Sequence, residues 1–406
     1  MPIARPFLRL SLLSALVLVS ACKKQEETKP EATPAAKPAE APANAAPAAA
    51  APKEKALKVG LVTDVGGRGD HSFNDSALRG LELWGAGKKL EGGSYKDASP
   101  EELKETLQQD LATRGIAPVN VTPVVLQSKV PEDYEPNLQL LVDQGVSMAV
   151  GVGFMLENAV ETVAKRNPDA KFLLIDSPLV GADGKPYTLP NVRTVTFREE
   201  QGSFLVGALA GLATKSNKVG FVGGMEVPLI KKFEAGFRAG VAATNPKATV
   251  LVNYTGSFDN VAAGKQVAQD LVTKGSDVVY HAAGSDGLGV IQAVKEARAA
   301  GKPVFVIGVD SDQSHLAPDA VLTSMLKRVD LAVYEAVRDL SQGKLQGGDV
   351  VMGLKEGGVS YAPVRVDFPG KAEALQKVEE LRTKIVNGEI QVPSNPSQLS
   401  ASPAKP

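Results

Sequence analysis

Three aspartates stand at the ends of apolar segments of the chain. Asp64, Asp176 and Asp310 each close a run of strand-like, apolar residues. A carboxylate accepts hydrogen bonds from neighbouring hydroxyl groups and excludes ligands that cannot donate them. The three side chains therefore predict contacts to the hydroxyls of a small polar ligand. A helix cap or a turn is the alternative role for each of them.

Two phenylalanines occupy positions from which they could bind a flat ring. Phe73 lies between a serine and an asparagine after the glycine-rich stretch 66–69, and Phe233 follows a different strand-like run. Aromatic side chains offer apolar faces on which a planar ligand stacks. We predict that Phe73 contacts such a ring. For Phe233, a place in the hydrophobic core is an equally good interpretation.

Four further residues complete the candidate binding set. Asn74 has a donor and an acceptor for polar ring edges, although it or Ser72 could instead cap the next helix. Lys327 follows an apolar run and could donate to a hydroxyl or a ring acceptor, with a solvated surface lysine as the alternative. Gly284 and Asp286 lie between a strand and a helix, where backbone N–H groups or the acid could touch a ligand.

The elements that must position these residues alternate along the chain. Ten short apolar runs predict buried strands at Lys58–Val65, Val121–Gln127, Met148–Phe154, Phe172–Ser177, Val192–Phe197, Lys218–Gly223, Val250–Tyr254, Asp277–Ala282, Val304–Asp310 and Val321–Met325. Amphipathic periods between them predict helices, such as Asn74–Leu90 and Asp330–Gln342. This alternation predicts an α/β fold with doubly wound parallel sheets in two lobes. Ligands in such folds bind at the carboxyl ends of the strands, where the candidate residues lie.

The N-terminus has the features of a bacterial lipoprotein signal. Two arginines precede an apolar run, Leu10–Ala21, which is too short to span a bilayer and is followed by Cys22. We predict a signal peptide at 1–21 and lipidation of Cys22, an ordinary signal with an incidental cysteine being the alternative. Residues 22–56, rich in Ala and Pro, predict an extended linker between lipid and domain.

Composition and charge exclude several functions. The chain of 406 residues has 45 Lys and Arg against 46 Asp and Glu, so it lacks the basic excess that nucleic-acid binding requires. Its single cysteine and three scattered histidines provide no thiol nucleophile and no zinc motif, and no hydrolase elbow is present. We therefore expect a protein that is not an enzyme and that needs no cofactor or metal.

Several motifs, in order along the chain, resemble those of the basic membrane protein family of PnrA-like nucleoside-binding lipoproteins. The motifs are Lys58–Gly67, Ser72–Asn74, Asp133–Leu138, Gly151–Phe154, Phe221–Met225, Lys232–Phe237, His281–Gly284 and Ile307–Gln313. Two features depart from the family pattern. Gly69 and His71 stand where acidic and basic residues are expected, and the stretch 89–118 is longer than usual. The first departure could change ligand preference. The second predicts an additional segment on the surface of the N-lobe.

The resemblance implies a two-lobed type I periplasmic-binding fold over residues 57–392. On this template the N-lobe comprises about 57–197 and 330–345, and the C-lobe comprises about 198–329 and 346–392. A disordered tail would follow at 393–406. The implied function is that of a lipid-anchored, extracytoplasmic binding protein that delivers purine nucleosides to the permease and ATPase subunits of an ABC transporter. A two-lobe protein that binds a sugar or a signalling molecule for a receptor is the alternative.

Overall fold

The computed structural model describes residues 56–107, 111 and 114–401. The predicted signal peptide, Cys22 and the linker up to residue 55 lie outside the described residues.

The strands are β1 (Leu57–Thr63), β2 (Lys88–Glu91), β3 (Ser94–Asp97), β4 (Val121–Gln127), β5 (Met148–Val152), β6 (Phe172–Ile175), β7 (Leu179–Val180), β8 (Pro186–Tyr187), β9 (Val192–Phe197), β10 (Lys218–Gly223), β11 (Thr249–Tyr254), β12 (Val278–Ala282), β13 (Phe305–Asp310), β14 (Val321–Lys327), β15 (Gly348–Met352) and β16 (Val359–Tyr361).

The α-helices are α1 (Phe73–Leu78), α2 (Pro100–Thr106), α3 (Tyr134–Asp143), α4 (Glu157–Arg166), α5 (Glu199–Ala213), α6 (Pro228–Thr244), α7 (Val261–Thr273), α8 (Asp286–Ala299), α9 (Val329–Ser341) and α10 (Lys371–Val386). All ten predicted strands are present, with ends shifted by at most two residues. Among the helices described here, none combines the length and the apolar composition needed to cross a bilayer.

Two six-stranded sheets organise the fold. The first has the order β15-β9-β6-β5-β1-β4 with every pair parallel. The second has the order β11-β10-β12-β13-β14-β16, in which only β16 is antiparallel to its neighbour. The central strands are buried on both faces, which explains their continuous apolar sequences. Helices cover both sheets, so the prediction of two doubly wound lobes is confirmed.

The chain passes between the two lobes three times. It leaves the first lobe between β9 and α5, returns between β14 and α9, and leaves again between β15 and β16. Helix α9 packs on α1 in the first lobe, where a Cβ atom on Gly80 would lie 2.3 Å from the backbone oxygen of Asp330. Glycine at position 80 therefore permits the close approach of the returning helix.

Three predicted segments differ from the structure. Residues 346–392 were expected in the C-lobe, but β15 pairs with β9 in the first sheet. This strand lies at a sheet edge and is largely exposed, so its sequence lacks the apolar run of a buried strand. The predicted helix Asn74–Leu90 divides into α1 and a π-helical segment, Arg79–Gly85. In the tail expected to be disordered, Pro396–Ala401 forms a 3₁₀ helix that contacts α6.

Candidate functional site

The candidate residues converge on one cavity between the two lobes. Strands β1 and β6 of the first lobe and β12, β13 and β14 of the second direct their carboxyl ends towards it. In this conformation the cavity volume is about 60 Å³, below the range of roughly 300 to 1,000 Å³ for ligand pockets, so the lobes must separate before a ligand that fills such a pocket can enter. Eight of the nine predicted residues line it: Asp64, Phe73, Asn74, Asp176, Phe233, Gly284, Asp310 and Lys327.

The ninth predicted residue, Asp286, lies outside the cavity wall. Its side chain is fully buried at the start of α8 and accepts hydrogen bonds from Ser257 Oγ (2.9 Å) and the Asn260 backbone N–H (2.5 Å). The carboxylate thus holds the loop between β11 and α7, a structural role rather than the predicted ligand contact. The expectation for Asp286 is corrected on this point.

A hydrogen-bond network fixes the orientation of Asp64. Its Oδ1 atom accepts from Asn74 Nδ2 (2.7 Å) and from the Gly66 N–H (2.9 Å). Asn74 Nδ2 also donates to Asp70 Oδ2 at 3.0 Å. Both amide hydrogens of Asn74 are therefore used within the protein. Asn74 therefore positions Asp64. Its amide hydrogens are not available to the polar edge of a ligand ring, and its side chain does not cap the helix.

Asp70 performs the capping role that the sequence suggested for Ser72 or Asn74. Its carboxylate accepts from the backbone N–H groups of Ser72 (2.9 Å), Asn74 (2.7 Å) and Asp75 (3.1 Å) at the start of α1. These N–H groups have no partner within the helix, and a carboxylate at a helix N-terminus is favourable. Asp70 therefore fixes the short helix that carries Phe73 into the cavity.

A buried ion cluster joins the two lobes. Lys327 Nζ lies 2.6 Å from Asp176 Oδ2 and 3.1 Å from Glu199 Oε1. All three side chains are almost completely buried. Burial disfavours the ammonium group, but the charges of Asp176 and Glu199 outweigh it and raise the pKa of Lys327. Lys327 is therefore a buried cation and not the solvated surface lysine considered as its alternative.

Aromatic rings surround this cation. Lys327 Nζ lies 5.3, 5.2 and 5.5 Å from the ring centroids of Phe73, Phe197 and Phe233. These distances are in the range of cation–π attraction. Phe233 is 3% exposed and belongs to the hydrophobic core, yet it also lines the cavity. The two roles considered for Phe233 are therefore combined in one side chain.

Direct hydrogen bonds close the cleft at its inner edge. Ser72 Oγ in the first lobe donates to Asp310 Oδ2 in the second, and Ser311 Oγ donates to the Ser72 carbonyl oxygen at 3.2 Å. A second aromatic pair, Phe154 and Phe258, meets edge to face across the cavity with centroids 6.2 Å apart. The described conformation is thus a closed one, with side chains of both lobes in contact.

Two of the cavity carboxylates have strongly shifted acidity. Burial raises the pKa of Asp64 to about 7 and that of Asp310 to about 7. Asp176 and Asp310 also have left-handed backbone conformations, with φ of 74° and 63°. Such conformations are unfavourable for residues other than glycine and concentrate at functional sites. Perturbed pKa values likewise cluster at functional sites.

Comparison with known proteins identifies the family. Residues 57–396 match the profile of the Bmp family, described as ABC transporter substrate-binding protein PnrA-like. The chain belongs to this family. The resemblance found in the sequence motifs is thereby confirmed. As a PnrA-like substrate-binding protein, the chain is not an enzyme.

Curated relatives of this PnrA-like protein cover most of both chains. It is 36% identical to the CD4+ T-cell-stimulating antigen of Listeria monocytogenes, with 84% of this chain and 89% of the relative covered. It is 33% identical to the ABC transporter nucleoside-binding protein BmpA of Lactococcus lactis, with 83% and 89% covered. Both alignments are therefore long enough to include most of the two-lobe domain of this chain.

Solved structures show the same architecture. A solute-binding protein of an ABC transporter system from Aeropyrum pernix superposes with a TM-score of 0.68 at 29% identity, covering 85% of this chain and 96% of that one. A second solute-binding protein, from Conexibacter woesei, gives a TM-score of 0.60 and supports the fold alone. The expected type I periplasmic-binding fold is thus confirmed.

Some residues of the site or its supports were not among the sequence predictions for this PnrA-like protein. Asp70, Phe154 and Phe258 line the cavity, and Glu199 holds Lys327. Phe154 and Phe258 follow strands β5 and β11, so the rule of strand ends could have identified both. Glu199 likewise follows β9, and Asp70 lies in the loop after β1, but their roles depend on neighbours that only the folded chain supplies.

Proposed function

We propose that this protein binds a purine nucleoside in the interlobe cavity and delivers it to the permease and ATPase subunits of an ABC transporter. The observation that supports the proposal is the combination of aromatic rings and buried carboxylates in one cavity. Phe73 and Phe233 come from opposite lobes, and Asp64, Asp176 and Asp310 line the same space. A nucleoside joins a flat base to a sugar with adjacent hydroxyls, so it presents the chemistry that both groups bind.

The carboxylates have acceptor capacity for ribose hydroxyls. Oδ1 of Asp176 is buried without a hydrogen-bond partner among the described protein atoms, while its Oδ2 is used by Lys327. Asp64 uses Oδ1 for its internal bonds, and its Oδ2 lies beside Gly153 in the cavity wall. A ligand hydroxyl bound to these oxygens would satisfy buried acceptors that are otherwise costly to leave unpaired.

The same charges disfavour phosphorylated ligands. Lys327 is already engaged by Asp176 and Glu199, so it is not free to neutralise a phosphate. A nucleotide would bury its phosphate charge in this cavity with no free cation among the described lining residues to neutralise it, and burial of an unpaired charge is costly. We therefore expect selection for the uncharged nucleoside over its 5′-phosphate.

Thermal unfolding tests this proposal. A ligand that binds only the folded state stabilises it by RT ln(1 + [L]/Kd), or about 2.7 kcal/mol at a hundredfold excess over Kd. Adenosine or inosine should therefore raise the melting temperature. Free adenine lacks the ribose hydroxyls and AMP adds charge, so both should raise it less. An AMP shift equal to that of adenosine would contradict the proposed charge selection.

We also propose that Cys22 carries a lipid that holds the domain at the outer side of a membrane. The motif Val19-Ser20-Ala21-Cys22 after the apolar run supports this role. Replacement Cys22→Ser should release the full-length protein into the soluble fraction of fractionated cells. Ala21→Gly, which keeps a small residue before the cysteine, is the matched control and should remain with the membranes. Membrane retention of the Cys22→Ser protein would contradict the anchor.

A further inference from the structure

The loop between β1 and α1 supplies cavity residues, and groups outside it help to hold its backbone. The Asp75 carboxylate accepts hydrogen bonds from the Gly69 and His71 N–H groups, and Gln127 Oε1 accepts from the Arg68 N–H. Gly66 and Asp70 line the cavity. Gly67, Gly69 and His71 between and after them have positive φ angles of 61°, 96° and 50°. Glycine loses more backbone freedom on ordering than any other residue. A loop of this composition therefore binds ligand well only if something outside it fixes its conformation.

Arg68 adds an ion-pair anchor to this loop. Its guanidinium group donates to both oxygens of Glu82, with Nη1–Oε2 at 3.0 Å and Nη2–Oε1 at 2.6 Å. The pair is bidentate, and the Glu82 side chain is only 7% exposed. Glu82 lies in the π-helical segment Arg79–Gly85, a type of irregularity that is frequent at functional sites.

The same carboxylate is also held by the β2–β3 hairpin. Tyr95, in β3, donates its phenolic hydrogen to Glu82 Oε1. The other side-chain ion pairs of the hairpin join exposed or partly exposed groups, such as Lys96 with Glu91 at 2.8 Å, and such pairs contribute little stability. Glu82 thus links the hairpin to the Arg68 loop through one buried carboxylate.

We propose that Tyr95 and Glu82 are positioning residues that order the loop 66–71 for ligand binding. The Tyr95 hydroxyl orients the Glu82 carboxylate, which in turn fixes Arg68 and the backbone on either side of it. Neither Tyr95 nor Glu82 lines the cavity, so their effect on affinity passes through the loop. The inference rests on the proposed function only for the identity of the ligand.

The test uses Tyr95→Phe, which removes one hydroxyl from a side chain that is 36% exposed. Amide hydrogen exchange in the ligand-free protein should be faster for residues 66–71 and unchanged in the strands of both sheets. The dissociation constant for adenosine should rise by about twofold to tenfold. Lys96→Ala, on the same hairpin, is the control and should change neither quantity.

A double-mutant cycle shows whether Tyr95 acts through Arg68. In an Arg68→Ala background, Tyr95→Phe should have no further effect on exchange or affinity. Unchanged exchange in Tyr95→Phe, or an undiminished effect in the Arg68→Ala background, would overturn the inference. If the wild-type protein binds no nucleoside, the proposed function fails, whereas the exchange measurement on the ligand-free protein still decides the role of Tyr95.

Discussion

Replacement of Lys327 by Met should destabilise the protein by about 3 to 5 kcal/mol, because it leaves the Asp176 carboxylate buried without its cation and removes one of the two cations beside Glu199. The methionine retains most of the side-chain volume, so lost packing contributes little. Denaturant unfolding of the ligand-free protein measures the effect as a lower transition midpoint.

Lys232 provides a matched control for this prediction. Its Nζ atom lies 3.1 Å from Glu199 Oε2, but its side chain is 31% exposed. Lys232→Met should therefore cost less, about 1 kcal/mol, since water screens the half-buried lysine and Glu199 keeps Lys327 as its second partner. Combining Lys327→Met with Asp176→Asn and Glu199→Gln should restore much of the lost stability. Equal midpoints for Lys327→Met and Lys232→Met would show that the cluster does not stabilise the fold.

Replacement of Phe233 by Ala should reduce stability and affinity together. The ring belongs to the core of the second lobe and also lines the cavity, so truncation should cost about 3 to 5 kcal/mol of folding stability. If the ring also stacks on the base, affinity should fall by about 1 to 3 kcal/mol. Phe73→Ala should lose affinity by a similar amount but less stability, because Phe73 is only partly buried.

The control for this pair is Phe237, one helical turn beyond Phe233. It is fully buried against Phe221 and Tyr280 and does not line the cavity. Phe237→Ala should therefore destabilise the protein without changing the affinity of the protein that remains folded. Calorimetric titration measures the affinity of each variant, and melting curves of the ligand-free protein measure its stability, so the two effects can be separated. If the Phe233→Ala protein binds adenosine with the affinity of the wild type, Phe233 does not stack on the base.

The sequence predicted the central strands well for a physical reason. Strands such as β5 and β10 lie inside parallel sheets, so burial on both faces imposes a continuous apolar run that can be recognised in the sequence. The exposed edge strand β15 and the hairpin β2–β3 bear no such constraint, and both were missed. Strands were therefore predicted where burial restricts the residue types to apolar ones, and they were missed where exposure to solvent allows many residue types.

The site was predictable as a set of residues but not as a set of interactions. Because ligands bind at the carboxyl ends of parallel strands, Asp176 and Lys327 could be assigned to one cavity although they are 151 positions apart in the chain. Their ion pair, and the participation of Glu199, depend on how two lobes meet. Asp286 shows the converse case, because a carboxylate at a strand-to-helix junction satisfies loop N–H groups as readily as it binds a ligand.

The most direct test of the proposed function is the identity of the ligand that the protein carries through purification. Native mass spectrometry of the domain, followed by release and fragmentation of the bound molecule, gives its mass and its chemical class. The closed cavity with its aromatic walls and carboxylates predicts an uncharged purine nucleoside at one molecule per chain. A bound sugar or other ligand without an aromatic ring would contradict the account.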